Sequence, residues 1–388
     1  MVVVVGTAIG KFGRRRDRTS FRDWIVESFR EALANADLEV GDLDSLVVAT
    51  ESDLFSLQLN PAAAIASDLG MVGAGAQRVE GGGASGHLAV HAAAQAILAG
   101  GARRVAVVGF ECGASQIGSA DVVRLYGYSF DGPAEAALNI GAAGLYALSI
   151  NSLMAEGHIS PAELAAVAVK NHGNATYNPA AHLPMTLTVD EVMASPMIAS
   201  PYHRLECAPV SDAVSVMILT GDSDTPASRR NAARIAGMGA ATDHSRLGDR
   251  DHPGRFAGKT RAAQRAFGAA GIDPGSIEVA EVYDAFAGSE LQSLEALGLS
   301  PPMKTARLMA DGEFARNGRV PVNLSGGLLG QGGAPGATGI AQIATIARVL
   351  EGRYWPELQP EALPRYGLAD THGGIATLCT VTVLEGAK

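Results

Sequence analysis

Two glycine-rich loops and two short motifs hold most of the residues in this chain that could do chemistry. Gly81-Gly82-Gly83-Ala84-Ser85-Gly86 runs into HLAVHAAAQAIL, and Gly332-Gly333-Ala334-Pro335-Gly336-Ala337-Thr338-Gly339 runs into IAQIATIARVL. Each loop opens a small-residue helix whose first N–H groups lack intrahelical acceptors, so each can hold an anionic oxygen. The motifs Tyr283-Asp284-Ala285-Phe286 and Asp370-Thr371-His372-Gly373-Gly374 add a phenol, an imidazole and two carboxyls. The imidazole, with an unperturbed pKa of ~6.5, changes charge near neutrality. The phenol, near ~10, is a poor base unless its neighbours lower that value.

Other constellations carry less. His87 and His91 are four apart on a helix, a metal-sharing spacing, but no third ligand follows at a matching interval. A helix surface or interface is expected for them, and no metal. The glycine run 326–339 has no GK[ST] ending and no GxGxxG directly after a strand, so phosphate-loop and dinucleotide readings fail.

These residues need a scaffold, and the pattern supplies one. Short β-rich runs alternate with helical patterns at 2–6, 21–34, 46–50, 61–69, 84–98 and 105–110, which is the signature of strands joined by helices. Residues from about 112 to 205 break that rhythm, with SPAEL as a helix start at Ser160, and read as an insertion that covers something. The rhythm then resumes at 214–220, 234–239, a helix near 259–270, 279–286, 320–324, 338–350 and 375–384. With the matched loops, this predicts two similar halves, 1–225 and 226–388, that bring two helix N-termini to a shared site. A chain of 388 residues, 47% hydrophobic and 18% charged with 47 glycines, can bury such an α/β core.

The net charge of −10 argues against a general affinity for nucleic acid or anionic membranes. Three widely spaced cysteines make no disulfide framework and fit a reducing compartment. The opening MVVVVGTAIGKFGRRR has its apolar run before its basic cluster, the reverse of a signal peptide, and no stretch reaches the ~18 apolar residues of a spanning helix. A soluble cytoplasmic protein is expected.

Four segments together carry a family resemblance: VKNHGNATYNP (169–179), SPMIASPYHRLECAPVSDAV (195–214), EVYDAF (281–286) and NLSGGLLGQGGAPGATGIAQ (323–342). In this order, over nearly the whole chain, they resemble the sterol-carrier-protein type of the thiolase superfamily. The resemblance implies an α/β protein with a duplicated five-layer α/β/α/β/α thiolase fold, a loop domain, a homodimer core and acyl-CoA substrates, with CoA as part of the substrate and no separate cofactor. It also exposes departures. The family's nucleophilic cysteine falls at Gly83, its His-Asp-Cys-Phe motif reads Tyr283 to Phe286, and its Gly-His-Pro motif reads Gly332-Gly333-Ala334. Nucleophile and base must lie within hydrogen-bond reach for acyl transfer, so ordinary thiolase activity is not expected. Of the remaining thiols, Cys379 lies mid-strand and reads as buried and inert, Cys207 reads as packing, and Cys112 is left as a substitute nucleophile. Arg246, Arg250, Arg255, Lys259, Arg261 and Arg265 would meet CoA phosphates or form a solvated helix face or partner surface.

The GGGA run at Gly81 and the Tyr-Asp-x-Phe pattern in part resemble the thiolase-fold aldolases that cut steroid side chains, which work with a small zinc-ribbon/OB-fold partner. Those aldolases carry a second tyrosine where this chain has Gly333. The expected reaction is therefore an aldol or retro-aldol step through a thioester enolate. Gly83 and Gly374 amides would hold the enolate oxygen. Tyr283 and His372 would move protons and Asn323 would order the site loops. Asp284, Phe286 and Gly333 would line the pocket, with Asp284 alternatively capping a helix near Gly288. Two other outcomes stay open: a silent subunit that scaffolds a partner, or an acyltransferase with an unusual nucleophile.

Overall fold

The computed structural model describes residues 1–15 and 19–387; Arg16, the end of the basic cluster, lies outside them. The valine run becomes β1 (Val2–Ile9), whose β-branched residues are buried on both faces, as a strand covered on both sides requires. β2 (Ser45–Ala49) pairs in parallel with both β3 (Gly75–Val79) and β4 (Arg104–Glu111). A hairpin of β5 (Met197–Ala199) and β6 (Tyr202–His203) stands apart. β7 (Ala213–Gly221) then inserts antiparallel between β4 and β1. The second half contributes β8 (Arg234–Thr242), β9 (Val279–Glu281), β10 (Tyr366–Gly373) and β11 (Leu378–Glu385).

All but the hairpin join one nine-stranded sheet in the order β3-β2-β4-β7-β1-β8-β11-β10-β9. Read outward from the middle with the hairpin set aside, each half gives its first strand, then its last, then the one before it, then its second, and the first half adds β3 at its edge. This mirrored order is the duplication that the matched loops predicted. The seam is narrow: β1 and β8 share the pairs Val2↔Ile235 and Val3↔Arg234, with the Val4 N–H donating to Ala233 O at 2.9 Å.

Buried side chains sort into layers. One cluster packs the helices Phe21–Ala36 and Pro61–Asp68 on the outer face of the first half-sheet. A second fills the space between the half-sheets around the helices Ser85–Leu98 and Pro335–Leu350. A third lies under Ala257–Ala270 and Ala287–Ala296 on the outer face of the second half-sheet. The five-layer α/β/α/β/α arrangement is therefore present. The central helices touch closely because their contact residues are small: a β-carbon on Gly86 would stand 2.5 Å from Gly336 O, and one on Gly339 2.5 Å from His87 N.

Between β4 and β7 the chain forms the helices Gly141–Ala155 and Pro161–Ala175. The second starts where SPAEL predicted, with Ser160 and Glu163 in a capping box and Pro161 in the first turn. His87 and His91 correct the surface expectation. Both are buried, and both Nε2 atoms meet Thr382 Oγ1, at 2.5 and 2.8 Å, which ties the central helix to β11. Among the described residues no helix is long and apolar enough to cross a membrane.

Candidate active site

β9 and β10 run parallel, so the residues following β9 and those ending β10 emerge at the same edge. Tyr283 leaves the first and His372-Gly373-Gly374 end the second, with Tyr283 N donating to Asp370 Oδ1 at 3.3 Å. The loop Gly81 to Gly83 meets them from the other half. A β-carbon on Gly373 would stand 2.3 Å from Gly81 O and 3.4 Å from Gly83 N. Gly82 and Gly374 both have φ +59°, a conformation that glycine enters without steric cost, and this lets the two turns abut.

Gly83 faces Tyr283 directly. A β-carbon there would stand 2.4 Å from both the Tyr283 hydroxyl and His372 O. The phenol thus occupies the space into which a side chain at position 83 would project. Tyr283 is 6% exposed, and burial, followed by the nearby Glu51 charge, pushes its phenol well above the ordinary value. It is a neutral donor in this site, not a ready base.

His372 is fully buried and both ring nitrogens are engaged. Lys259 Nζ donates to Nδ1 at 2.9 Å, which fixes the remaining ring proton on Nε2, 2.8 Å from the Tyr146 hydroxyl. Tyr146 in turn donates to Gly374 O at 2.7 Å. Burial, then the charge of Lys259, pushes the imidazole well below its usual pKa. It therefore holds the Gly374 turn through Tyr146 and packs its ring against Tyr283, the centroids 4.6 Å apart.

Lys259 departs from all three readings of its basic cluster, a CoA contact, a solvated face or a partner surface. It is wholly buried, paired with Asp370, and donates to Ser293 Oγ at 2.6 Å. Tyr146 and the carboxyls Glu51 and Glu111 lie in no sequence motif, and the sequence does not foretell the pairing of Asp370 with Lys259. Only their distant strands and helices bring them here, Tyr146 from the helix Gly141–Ala155.

Other predicted residues stand behind the site. Asn323 accepts from Val282 N at 2.8 Å and donates to Glu290 at 2.8 Å, which orders the loop after β9. Asp284 caps the short Gly327–Gly330 helix, accepting from Leu328 N at 2.6 Å, rather than the helix at Gly288 or the pocket wall. Phe286 packs against Tyr146 and Tyr202, at 4.6 and 5.2 Å between centroids. Gly333 pairs with the backbone at Pro209 and Ser211. Cys112 and Cys379 are buried; Cys379 is pushed up to about 12 by burial, and so is Cys207, while Cys112 rises further. No thiol here is a ready thiolate.

A cavity of about 480 Å3 opens onto this junction, lined by Gly81, Gly82, Gly373, Gly374, Glu51 and Tyr126 among others. Among the described residues no cluster suits a metal ion. The cavity adjoins backbone turns, the phenols of Tyr126 and Tyr128 and the carboxyls of Glu51 and Glu80, a set suited to binding a carbonyl and moving a proton.

The buried carboxyls make stability depend on pH. Burial raises Glu51 and Glu281 to about 7 and Glu111 to about 8, the last also through the Glu51 charge. Above about pH 7.5 the buried histidines are neutral in the folded chain and almost wholly neutral in the unfolded one, so the carboxyls dominate. The folded state then binds more protons than the unfolded one, and stability falls as pH rises toward about 8.5. Thermal unfolding should show the melting temperature dropping across that window, with a shallower slope for Glu111→Gln; a rising melting temperature would contradict these environments.

Comparison with known proteins agrees with this architecture. Residues 1–195 match the thiolase N-terminal domain, and residues 239–386 the thiolase C-terminal domain-like family. The acetyl-CoA acetyltransferase of Methanothermobacter thermautotrophicus is 35% identical over 90% of this chain and 91% of its own. The benzoylsuccinyl-CoA thiolase subunit BbsB of Thauera aromatica is 30% identical over 60% of each chain. A solved Ltp2-ChsH2(DUF35) aldolase superposes with a TM-score of 0.83 at 23% identity, covering 99% of this chain and 97% of that one. The chain belongs to the thiolase family, a family of acyl-CoA enzymes.

Proposed function

We propose that this protein makes or breaks a carbon–carbon bond in an acyl-CoA by aldol or retro-aldol chemistry, through a thioester enolate and without a cysteine nucleophile. The observation that carries the reading is the Tyr283 hydroxyl in the space where a side chain at position 83 would project. A nucleophile and this phenol exclude each other, so Gly83, Ala285 and Gly333 together mark the loss of the family's cysteine and histidine set. The backbone remains: N–H groups at Gly83 and Gly374 are preorganised donors for an enolate oxygen and need no side chain. In the cleavage direction the bond between the α and β carbons breaks, its electron pair enters the enolate, and the β-hydroxyl carbon becomes a carbonyl. The Tyr283 phenol protonates the enolate carbon. Its raised pKa keeps the proton in place until so basic an acceptor forms. His372 acts with Tyr146 to fix the Gly374 turn.

The Ltp2-ChsH2 aldolase likeness supports the lyase reading only in that the same fold serves an aldolase there. A homodimer core and a small zinc-ribbon/OB-fold partner subunit belong to the same proposal, as does a cytoplasmic setting. Incubation of the protein, alone and with such a partner, with steroid, aromatic and aliphatic β-hydroxyacyl-CoA esters should release a shorter acyl-CoA and a carbonyl product. Tyr283→Phe should lower kcat by about 10^2- to 10^4-fold while ester binding persists. Full activity in that variant would remove Tyr283 from the chemistry, and inactivity of the unaltered protein toward all three classes would sink the lyase reading.

A further inference from the structure

The reaction above needs an acceptor for the β-hydroxyl proton, and neither Tyr283 nor His372 provides one. The phenol is pushed up by burial, and the His372 Nδ1 lone pair is held by Lys259. Two carboxyls line the cavity beside the glycine turns, and one of them, Glu80, already accepts from Gly82 N at 3.0 Å, which leaves Glu51. Glu51 Oε1 lies 3.7 Å from where a β-carbon on Gly82 would stand, and accepts from Ser129 Oγ at 2.8 Å. Its Oε2 is buried without a hydrogen-bond partner among the described residues. An unpartnered carboxyl oxygen at the wall of a cavity is costly unless something arrives to use it.

From this geometry we infer that Glu51 is the general base of the site, taking the β-hydroxyl proton as the carbon–carbon bond breaks. The inference rests on the lyase reading and completes it. Glu51 receives the hydroxyl proton, Tyr283 gives its own to the enolate carbon, and the proton on Glu51 then returns to the phenolate through water in the cavity. No proton is gained or lost over the cycle. In the reverse direction the same groups exchange roles.

The surroundings suit such a base. Glu51 N donates to Glu111 Oε1 at 2.6 Å, and Arg78 donates to the carbonyls of Thr50 and Glu51, which pins the backbone at this residue. The charged and titratable groups around the carboxyl are Glu80, Glu111, Arg78, Tyr126 and Tyr283. Burial, and then the Glu80 charge, raises Glu51 to about 7, where a carboxylate is a far stronger base than one near its ordinary value. Glu111, pointed instead at Gly336 N and Thr50, is committed to the scaffold.

The test compares the unaltered protein with Glu51→Gln, which keeps the shape and the bond from Ser129. Cleavage of a β-hydroxyacyl-CoA should fall by about 10^2- to 10^4-fold. Binding of the corresponding saturated acyl-CoA, which has no hydroxyl proton to lose, should be unchanged within about twofold by titration calorimetry. The pH profile of the unaltered protein should rise through about 7, and that limb should vanish from the residual activity of the variant. Cleavage by Glu51→Gln at full rate, or with the limb intact, overturns this assignment and leaves the lyase reading standing. An unaltered protein inert toward every ester overturns both.

Discussion

Replacing Lys259 with methionine is expected to cost about 3–5 kcal/mol of folding stability, the range for stripping one partner from a buried ion pair. Lys259 and Asp370 are both wholly enclosed, and the ammonium also serves Ser293 Oγ and His372 Nδ1. Methionine fills the stem volume but leaves Asp370 as a carboxyl with no cation in a site that already raises its pKa through burial. Denaturant unfolding measures the effect. The informative control is Lys259→Met with Asp370→Asn. Since the double variant removes both charges, it should recover part of the loss, giving strong non-additivity. A single-variant loss under about 1 kcal/mol would mean that water reaches the pair.

The second large effect concerns Gly83→Cys, the substitution that would appear to restore a family nucleophile. The new β-carbon would fall 2.4 Å from His372 O, which is backbone and cannot rotate away, and 2.4 Å from the Tyr283 hydroxyl. Overpacking of this kind costs about 1–3 kcal/mol or more. It also spreads the two turns that hold the enolate oxygen, so lyase activity should fall by at least about 10^2-fold, the scale of one lost oxyanion donor. Intact-protein mass spectrometry after incubation with acetyl-CoA should show no acyl adduct, because both nitrogens of the one imidazole described at this junction, His372, are engaged by Lys259 and Tyr146 and cannot activate the thiol. A stable acyl-enzyme would show that the cavity can accept a nucleophile after all.

The scaffold was legible because its signals are local. The valine run, the SPAEL start at Ser160 and the matched glycine loops each fix backbone conformation within a few residues, and all three reappear in the structure. Gly83, Gly374, Tyr283 and His372 do converge on one junction, since a loop and strand ends carry them there. Lys259 was misread because a helix rich in basic residues looks solvated, and nothing near it in sequence announces Asp370, which lies more than a hundred residues on. The His87 and His91 pair was misread for the same reason: its partner, Thr382, comes from the last strand. Glu51 gave no motif at all. Its environment arises from Ser129, Glu111 and Gly82, three segments joined only by the fold.

The narrow seam between β1 and β8 has a consequence for how the site comes into being. Gly83 belongs to one half of the chain and Tyr283, His372 and Gly374 to the other, so building the site is an association of two surfaces. The residues between β7 and β8 act as a tether that makes this association first order. Dilution cannot take the halves apart, and few backbone bonds along the sheet are needed to keep them in register, because the tether supplies local concentration and the central helices supply the contact area.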